Sequence, residues 1–255
     1  MRLPLVILAA ALGGAVNSIA GGGTLLTFPA LIGLGVPALV ANATSTVALW
    51  PGALGSMWGY RGELVGARRW ALRWAIPSVA GGLVGAWLLL RTEESRFESL
   101  VPWLVLGATA LFIAQRPLME RIRGRMAQSS AEPTATAAPI GTLLFQFVVA
   151  IYGGYFGAGI GILMLAALGI MGFTNIHRMN GLKNFGGLCI NAVAAATFAV
   201  SGIVDWGVAA AMATGATLGG YAGSRLALRV SQARVRQAIV VIGLASGLWL
   251  LFDRF

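Results

Sequence analysis

The sequence predicts an all-α, polytopic membrane protein made of two copies of one unit. Three observations carry this reading. Eight apolar segments follow one another, at about 3–34, 38–60, 70–90, 100–115, 139–173, 179–201, 205–224 and 236–252. Special residues recur at one ungapped shift of 138: Asn42 as Asn180, Gly81-Gly82-x-x-Gly85 as Gly219-Gly220-x-x-Gly223, Arg91 and Arg96 as Arg229 and Arg234. At the same shift, Ala20-Gly21-Gly22-Gly23 returns as Ala158-Gly159-Ile160-Gly161, so the first apolar segment of each copy is interrupted near the same place. A repeat with a matching interruption is a pattern of membrane transporters.

The first segment of each copy is too long for one span. About 20 apolar residues cross a bilayer core, and residues 3–34 and 139–173 exceed that. Gly21 to Gly23 and Gly157-x-Gly159-x-Gly161 divide these stretches into two pieces each, as a hairpin or a broken helix. The second segment opens on Ala41-Asn42-Ala43-Thr44-Ser45-Thr46, and its counterpart opens on Met179-Asn180-Gly181-Leu182-Lys183-Asn184. Asn42 and Asn180 can each cap a helix.

Loop charge indicates how the copies lie. In the first copy Arg61 to Arg73 follow the second segment. In the second copy that place, Ser201 to Asp205, has no basic residue, and Arg225 to Arg236 follow the third segment instead. Basic residues mark cytoplasmic loops, so the swapped bias suggests inverted copies, which need an odd number of crossings each. Splitting the long first segment gives five per copy, about ten crossings or half-helices in all. The alternative is eight simple spans in parallel copies. The chain therefore divides into a first transmembrane repeat at 1–115, a polar, cytoplasmic linker at 116–138 whose polar, Pro-containing run Gln128 to Thr134 is expected to be mobile, and a second repeat at 139–255. Trp70, Trp74, Trp103, Trp206 and Trp249 lie near segment ends and read as headgroup anchors. The short basic apolar start at Arg2 to Leu12 imitates a signal peptide, but the apolar run continues past any cleavage site.

Composition narrows the function. The chain is 58% hydrophobic and 10% charged, too apolar for a soluble domain of this size. Its net charge of +10 comes from arginines between spans rather than on one face, which argues against nucleic acid. One cysteine, Cys189, and one histidine, His177, offer no disulfide and no metal site. All eight acids fall in loops or at segment ends, which leaves no carboxylate proton relay and disfavours cation transport. There is no P-loop, and no nucleophile has a nearby base, so no enzyme activity and no cofactor are expected.

What remains points to an anion. A backbone break inside a membrane is tolerated where it is buried in protein or faces a wet cavity. The helix after it presents free amides and a positive dipole end. Asn17 and Ser18 precede the first break and Thr24 follows it. Lys183 lies inside an apolar segment with no acid nearby in sequence, and a bound anion is a natural partner, with snorkelling to the headgroups as the alternative. For the glycines, the alternative role is tight helix packing.

Asn17-Ser18-Ile19-Ala20-Gly21-Gly22-Gly23-Thr24, Pro29-Ala30-Leu31 and Ala41-Asn42-Ala43-Thr44-Ser45 resemble the first-copy signature of the sulfite exporter TauE/SafE family, also described as permeases of the 4-toluene sulfonate uptake type. Gly157-Ala158-Gly159-Ile160-Gly161 and Arg178-Met179-Asn180-Gly181-Leu182-Lys183-Asn184 resemble its second-copy signature. The resemblance implies a multi-pass inner-membrane carrier of sulfite, thiosulfate, sulfoacetate or another organosulfonate, working by alternating access. The expected substrate-binding set is Asn17, Ser18, Gly21, Gly22, Gly23, Thr24, Asn42, Thr44, Ser45, Gly157, Gly159, Gly161, Asn180, Lys183 and Asn184. A channel for another small anion, or a membrane scaffold, are the rival readings. The expected partners are a small anion and the lipid bilayer, and a homo-oligomer is compatible with the sequence.

Overall fold

A computed structural model describes residues 3–19, 21–59, 61–64, 68–126, 140–171, 173, 175–226 and 232–252. The Gln128 to Thr134 part of the linker, Ala20 and Arg229 lie outside these residues. The described residues form ten α-helices and one short 3-10 helix, with no strand among them: α1 Leu3–Ile19, α2 Thr24–Ile32, α3 Ala38–Gly59, the 3-10 turn Arg61–Leu64, α4 Arg68–Arg91, α5 Glu94–Met126, α6 Ile140–Tyr155, α7 Ile160–Ile170, α8 Ile176–Ser201, α9 Trp206–Leu226 and α10 Gln232–Phe252. Stretches in α4, α5 and α8 (Arg69–Arg91, Glu94–Ala114 and Arg178–Ser201) are long and apolar enough to cross a membrane. α1, α6, α7 and α10 are shorter apolar helices.

Each half thus contains five helices, because each long first segment is split. Helices α3, α4 and α5 begin at Ala38, Arg68 and Glu94, and α8, α9 and α10 begin at Ile176, Trp206 and Gln232, each 138 later. Before that point the shift differs. α1 ends at Ile19 and α6 at Tyr155, 136 apart, while α2 has nine residues and α7 eleven. Two extra residues in α7 restore the register. The structural counterpart of Gly21 is therefore Gly157, not Gly159. Gly21 and Gly157 both hold a left-handed backbone (φ 74 and 81). Each donates its amide to the carbonyl five residues back, Val16 and Tyr152 respectively, at 3.2 Å. A left-handed glycine at a helix C-terminus reverses the chain at little steric cost.

The halves interlock. α1 packs on α9 as α6 packs on α4, α3 packs on α9 as α8 packs on α4, and α3–α8 and α5–α10 pair across the halves. Glycines allow this proximity. A side chain at Gly219 or Gly215 would collide with the α1 backbone at Ala11 or Ile7, and one at Gly85 or Gly154 with the α6 or α4 backbone at Ile151 or Gly82. Backbones that approach this closely gain dispersion contacts, the main attraction available between helices in lipid.

The order of these contacts gives helix direction. Ile7, Ala11 and Ala15 meet Gly215, Gly219 and Gly223 in sequence, so α1 and α9 run parallel. Thr44 lies beside Asp205 and Gly52 beside Ala216, so α3 runs the same way. Likewise Phe147 and Ile151 meet Gly81 and Gly85, while Trp74 and Gly82 meet Gly186 and Ile190, so α4, α6 and α8 run together. α2 turns back along α1, with Gly23 against Gly13 and Thr27 also near Gly13. The first long segment is therefore a hairpin.

Two sequence expectations change. Trp70 and Trp74 are 3% and 1% exposed and sit in an apolar cluster with Met164, Leu168 and Phe173, so they are core residues rather than headgroup anchors. Parallel packing of α4 against α8 covers them. Trp103, Trp206 and Trp249 stay exposed. α5 also continues to Met126, so the first part of the 116–138 linker is helical. Leu, Met, Glu and Arg there are good helix formers.

Candidate functional site

The hairpin tips and the facing sides of α3 and α8 line a cavity of about 50 Å³. One water needs roughly 10–15 Å³ measured this way, so a few waters or one small ion fit. From the first half the lining includes Asn17 at the end of α1, Gly21 in the turn, Thr24 at the start of α2, and Thr46, Leu49, Ala53 and Ser56 along α3. From the second half come Phe156 and Gly157 in the turn, Ile160, Gly161 and Met164 on α7, and Lys183, Asn184, Gly187, Leu188 and Asn191 along α8.

The helix faces follow directly from α-helical spacing. Positions 46, 49 and 53 recur one repeat later as 184, 187 and 191, so the same stripe of each copy faces the cavity. The walls differ in chemistry. α3 offers Thr46, Leu49 and Ala53 where α8 offers Asn184, Gly187 and Asn191.

Among the described residues, Lys183 is the one cation on the wall. It is 3% exposed, and among the described residues no carboxylate or hydrogen-bond acceptor pairs with it. The side-chain amide nitrogen of Asn184, on the next residue, is also buried without an acceptor. At the start of α7, the Ile160 and Gly161 amides make no backbone hydrogen bond among the described residues. Unpaired donors around a buried ammonium leave the cavity rich in hydrogen-bond donors and positive in potential.

Seven of the residues expected from the sequence come together here: Asn17, Gly21, Thr24, Gly157, Gly161, Lys183 and Asn184. The others sit elsewhere. Ser18 bonds to the Gly14 and Gly220 carbonyls and to Ser56, at 3.1, 2.9 and 2.7 Å. Gly22 packs against the Phe112 ring and Gly23 against the Gly13 carbonyl, and Gly159 faces Leu111 and Ala108. Asn42 donates to the Tyr155 carbonyl at 2.9 Å, tying α3 to the second turn. Thr44 accepts from the Asp205 amide at 3.0 Å, and Ser45 bonds Thr27 at 2.6 Å. Asn180, one turn before Asn184, does not line the cavity.

Thr46, Ser56 and Asn191 are polar lining residues that the sequence reading passed over. The signal was present: Asn191 lies eight residues after Lys183 on one helical face, and Thr46 is the repeat counterpart of Asn184.

Among the described residues, two interlocked five-helix halves around a polar, positively charged cavity define a polytopic helical membrane transporter. The chain belongs to the sulfite exporter TauE/SafE family, whose model matches residues 6–250. It is 28% identical over 98% of its length to a protein described as probable membrane transporter protein ORF9 from Sinorhizobium sp, covering 93% of that protein. It is 29% identical over 99% of its length to probable membrane transporter protein YfcA of Escherichia coli K12, covering 91% of it. A probable membrane transporter protein of Haemophilus influenzae is 26% identical, with 94% and 90% of the two chains covered. No solved structure gives a significant match.

Proposed function

We propose that the protein carries a small sulfur-containing anion, such as sulfite, thiosulfate or a short organosulfonate, across the plasma (inner) membrane by alternating access between its two halves. The observation that carries this reading is Lys183, a buried ammonium without a partner among the described residues, on the wall of a cavity between the halves. An unpaired charge inside a membrane is costly, so it is retained where a ligand balances it. A sulfite or sulfonate group presents several acceptor oxygens. The Lys183 ammonium, the Asn184 amide, the Thr24 hydroxyl and the α7 amides can all donate to it, while the Thr46 and Ser56 hydroxyls already donate within α3, to the Asn42 and Gly52 carbonyls.

The parallel runs of α1, α3 and α9, against α4, α6 and α8, support inverted repeats, since α1 and α6 occupy the same place in the two halves. On that arrangement α3, α5 and α9 end on one face, and the arginine-rich stretches that follow or close them make that face cytoplasmic. The two hairpins then enter from opposite faces and meet at the cavity, the geometry of a site exposed alternately to each side.

The test is binding by purified protein to sulfite, thiosulfate, sulfoacetate, taurine and sulfate, read as thermal stabilisation. A ligand of the folded state at 100 times its Kd adds about 2.7 kcal/mol. At least one of the sulfur anions should stabilise the wild type, and Lys183→Met should abolish that response. Stabilisation of the Lys183→Met variant equal to wild type would reject the site.

A further inference from the structure

Gly187 differs from the other glycines at helix contacts. A side chain at Gly186 would run into the Trp74 indole nitrogen at 2.6 Å, and one at Gly154 or Gly219 would strike backbone. At Gly187 the first atom met is the Met164 Cε, at 3.7 Å, an ordinary contact with the free end of a flexible side chain. Packing therefore does not demand glycine here. Gly187 lies inside α8, where glycine is less favourable than alanine, so its presence runs against helix propensity.

Its position supplies the missing reason. Gly187 lines the cavity between Asn184 and Asn191, one turn from Lys183. The equivalent position of the first half is Leu49, which lines the opposite wall. One wall thus carries an isobutyl group and the other only a hydrogen, and a Cβ on Gly187 would have no neighbour nearer than the Met164 Cε at 3.7 Å.

We infer that Gly187 sets the size of the anion the cavity accepts, with Leu49 as the opposing limit. The inference rests on the anion-carrier reading of the cavity. The absent side chain makes room beside the Lys183–Asn184 donors for whatever is attached to the oxyanion head. Filling that room should penalise anions with a larger substituent and spare the smallest.

The experiment measures binding of sulfite, methanesulfonate, ethanesulfonate and 1-propanesulfonate to wild type, Gly187→Ala, Leu49→Ala and the double variant. Gly107→Ala serves as the control, since Gly107 has open space around it and lies away from the cavity. Gly187→Ala should lower the affinity ratio of the largest anion bound by wild type to sulfite by about tenfold or more. Leu49→Ala should raise that ratio, and the double variant should return it towards wild type. An unchanged ratio in Gly187→Ala, or a uniform loss across all four anions, overturns the inference. Failure of Gly187→Ala to fold also overturns it, because the position would then be a packing site. If wild type binds none of the four anions while another anion class does bind, the sulfur-anion reading fails, and the same ratio test in that class decides Gly187 separately.

Discussion

Gly21 and Gly161 face each other where the two hairpins meet: a Cβ on Gly21 would stand 3.5 Å from the Gly161 Cα. Both line the cavity, and Gly21 holds a φ of 74. An L-residue with a Cβ pays about 1–2 kcal/mol in that conformation, whereas asparagine tolerates it better. Gly21→Ala should therefore lower the thermal midpoint of the detergent-purified protein, and Gly21→Asn should lower it less. Equal midpoints for wild type and Gly21→Ala would show that the turn does not need a left-handed residue.

Lys183 places function and stability in opposition. Its ammonium is buried with no partner among the described residues, an arrangement that costs free energy unless a ligand balances the charge. Replacing it with methionine keeps a flexible side chain of similar length and removes the charge. Lys183→Met should melt at a higher temperature than wild type in ligand-free buffer while losing the anion response. A lower ligand-free midpoint would mean that the ammonium is already satisfied in the folded protein.

Much of this arrangement was legible in the chain because it depends on single residues with strong preferences. The helix breaks follow from glycine runs inside apolar stretches, and five helices per half follow from span length. Lys183 stood out because charge is rare in such segments. The cavity faces were harder to read. Asn42 and Thr44 are as polar as Thr46, but which of them meets the cavity depends on how α3 crosses α8 and α9, and that is settled by glycines far away in sequence. Gly22 and Gly23 looked like site glycines and are packing glycines, a distinction made by Phe112 and Gly13, their neighbours in space. Trp70 and Trp74 misled because proximity to a segment end does not say which way the helix faces.

Gly219 and Gly85, one turn apart in the repeat, make the same kind of contact across the halves. A methyl group at Gly219 would overlap the Ala11 carbonyl, and one at Gly85 the Ile151 carbonyl. Overpacking typically costs 1–3 kcal/mol, and here rigid backbone must move. Gly219→Ala and Gly85→Ala should each reduce the yield of monodisperse protein on size exclusion, with Gly107→Ala unaffected. Normal yield of both variants would mean that α1–α9 and α4–α6 can separate without loss.

Asp205 caps α9, accepting from the Val208 amide at 3.0 Å, while its own amide donates to Thr44. Loss of an N-cap costs about 0.5–2 kcal/mol, and serine replaces aspartate well at this position. Asp205→Ala should destabilise the protein by about 1 kcal/mol and Asp205→Ser by less, measured as thermal midpoints. Equal losses in both would assign the effect to the carboxylate charge rather than to the cap.

Helix direction makes the two second-segment ends a test of inversion. α3 and α8 begin 138 residues apart and occupy equivalent places, yet α3 runs with α9 and α8 runs with α4. The proposed inversion requires α4, which follows α3 through a short connection containing the 3-10 turn Arg61–Leu64, to return across the molecule, so that α3 and α8 point in opposite directions. Gly62, just past α3, and Ser201, at the end of α8, are both exposed and should lie on opposite faces of the membrane. With Cys189 replaced by alanine, a cysteine at 62 should react with a membrane-impermeant maleimide only in inside-out vesicles. A cysteine at 201 should react only in whole cells with a permeabilised outer membrane. On the proposed orientation, drawn from the arginines at 61, 68, 69 and 73, the Gly62 face is the cytoplasmic one. Labelling of both positions from one face would make the halves parallel and remove the basis for alternating exposure of the Lys183 cavity. Opposite labelling with the faces exchanged would keep the inversion and reverse only the orientation drawn from the basic residues.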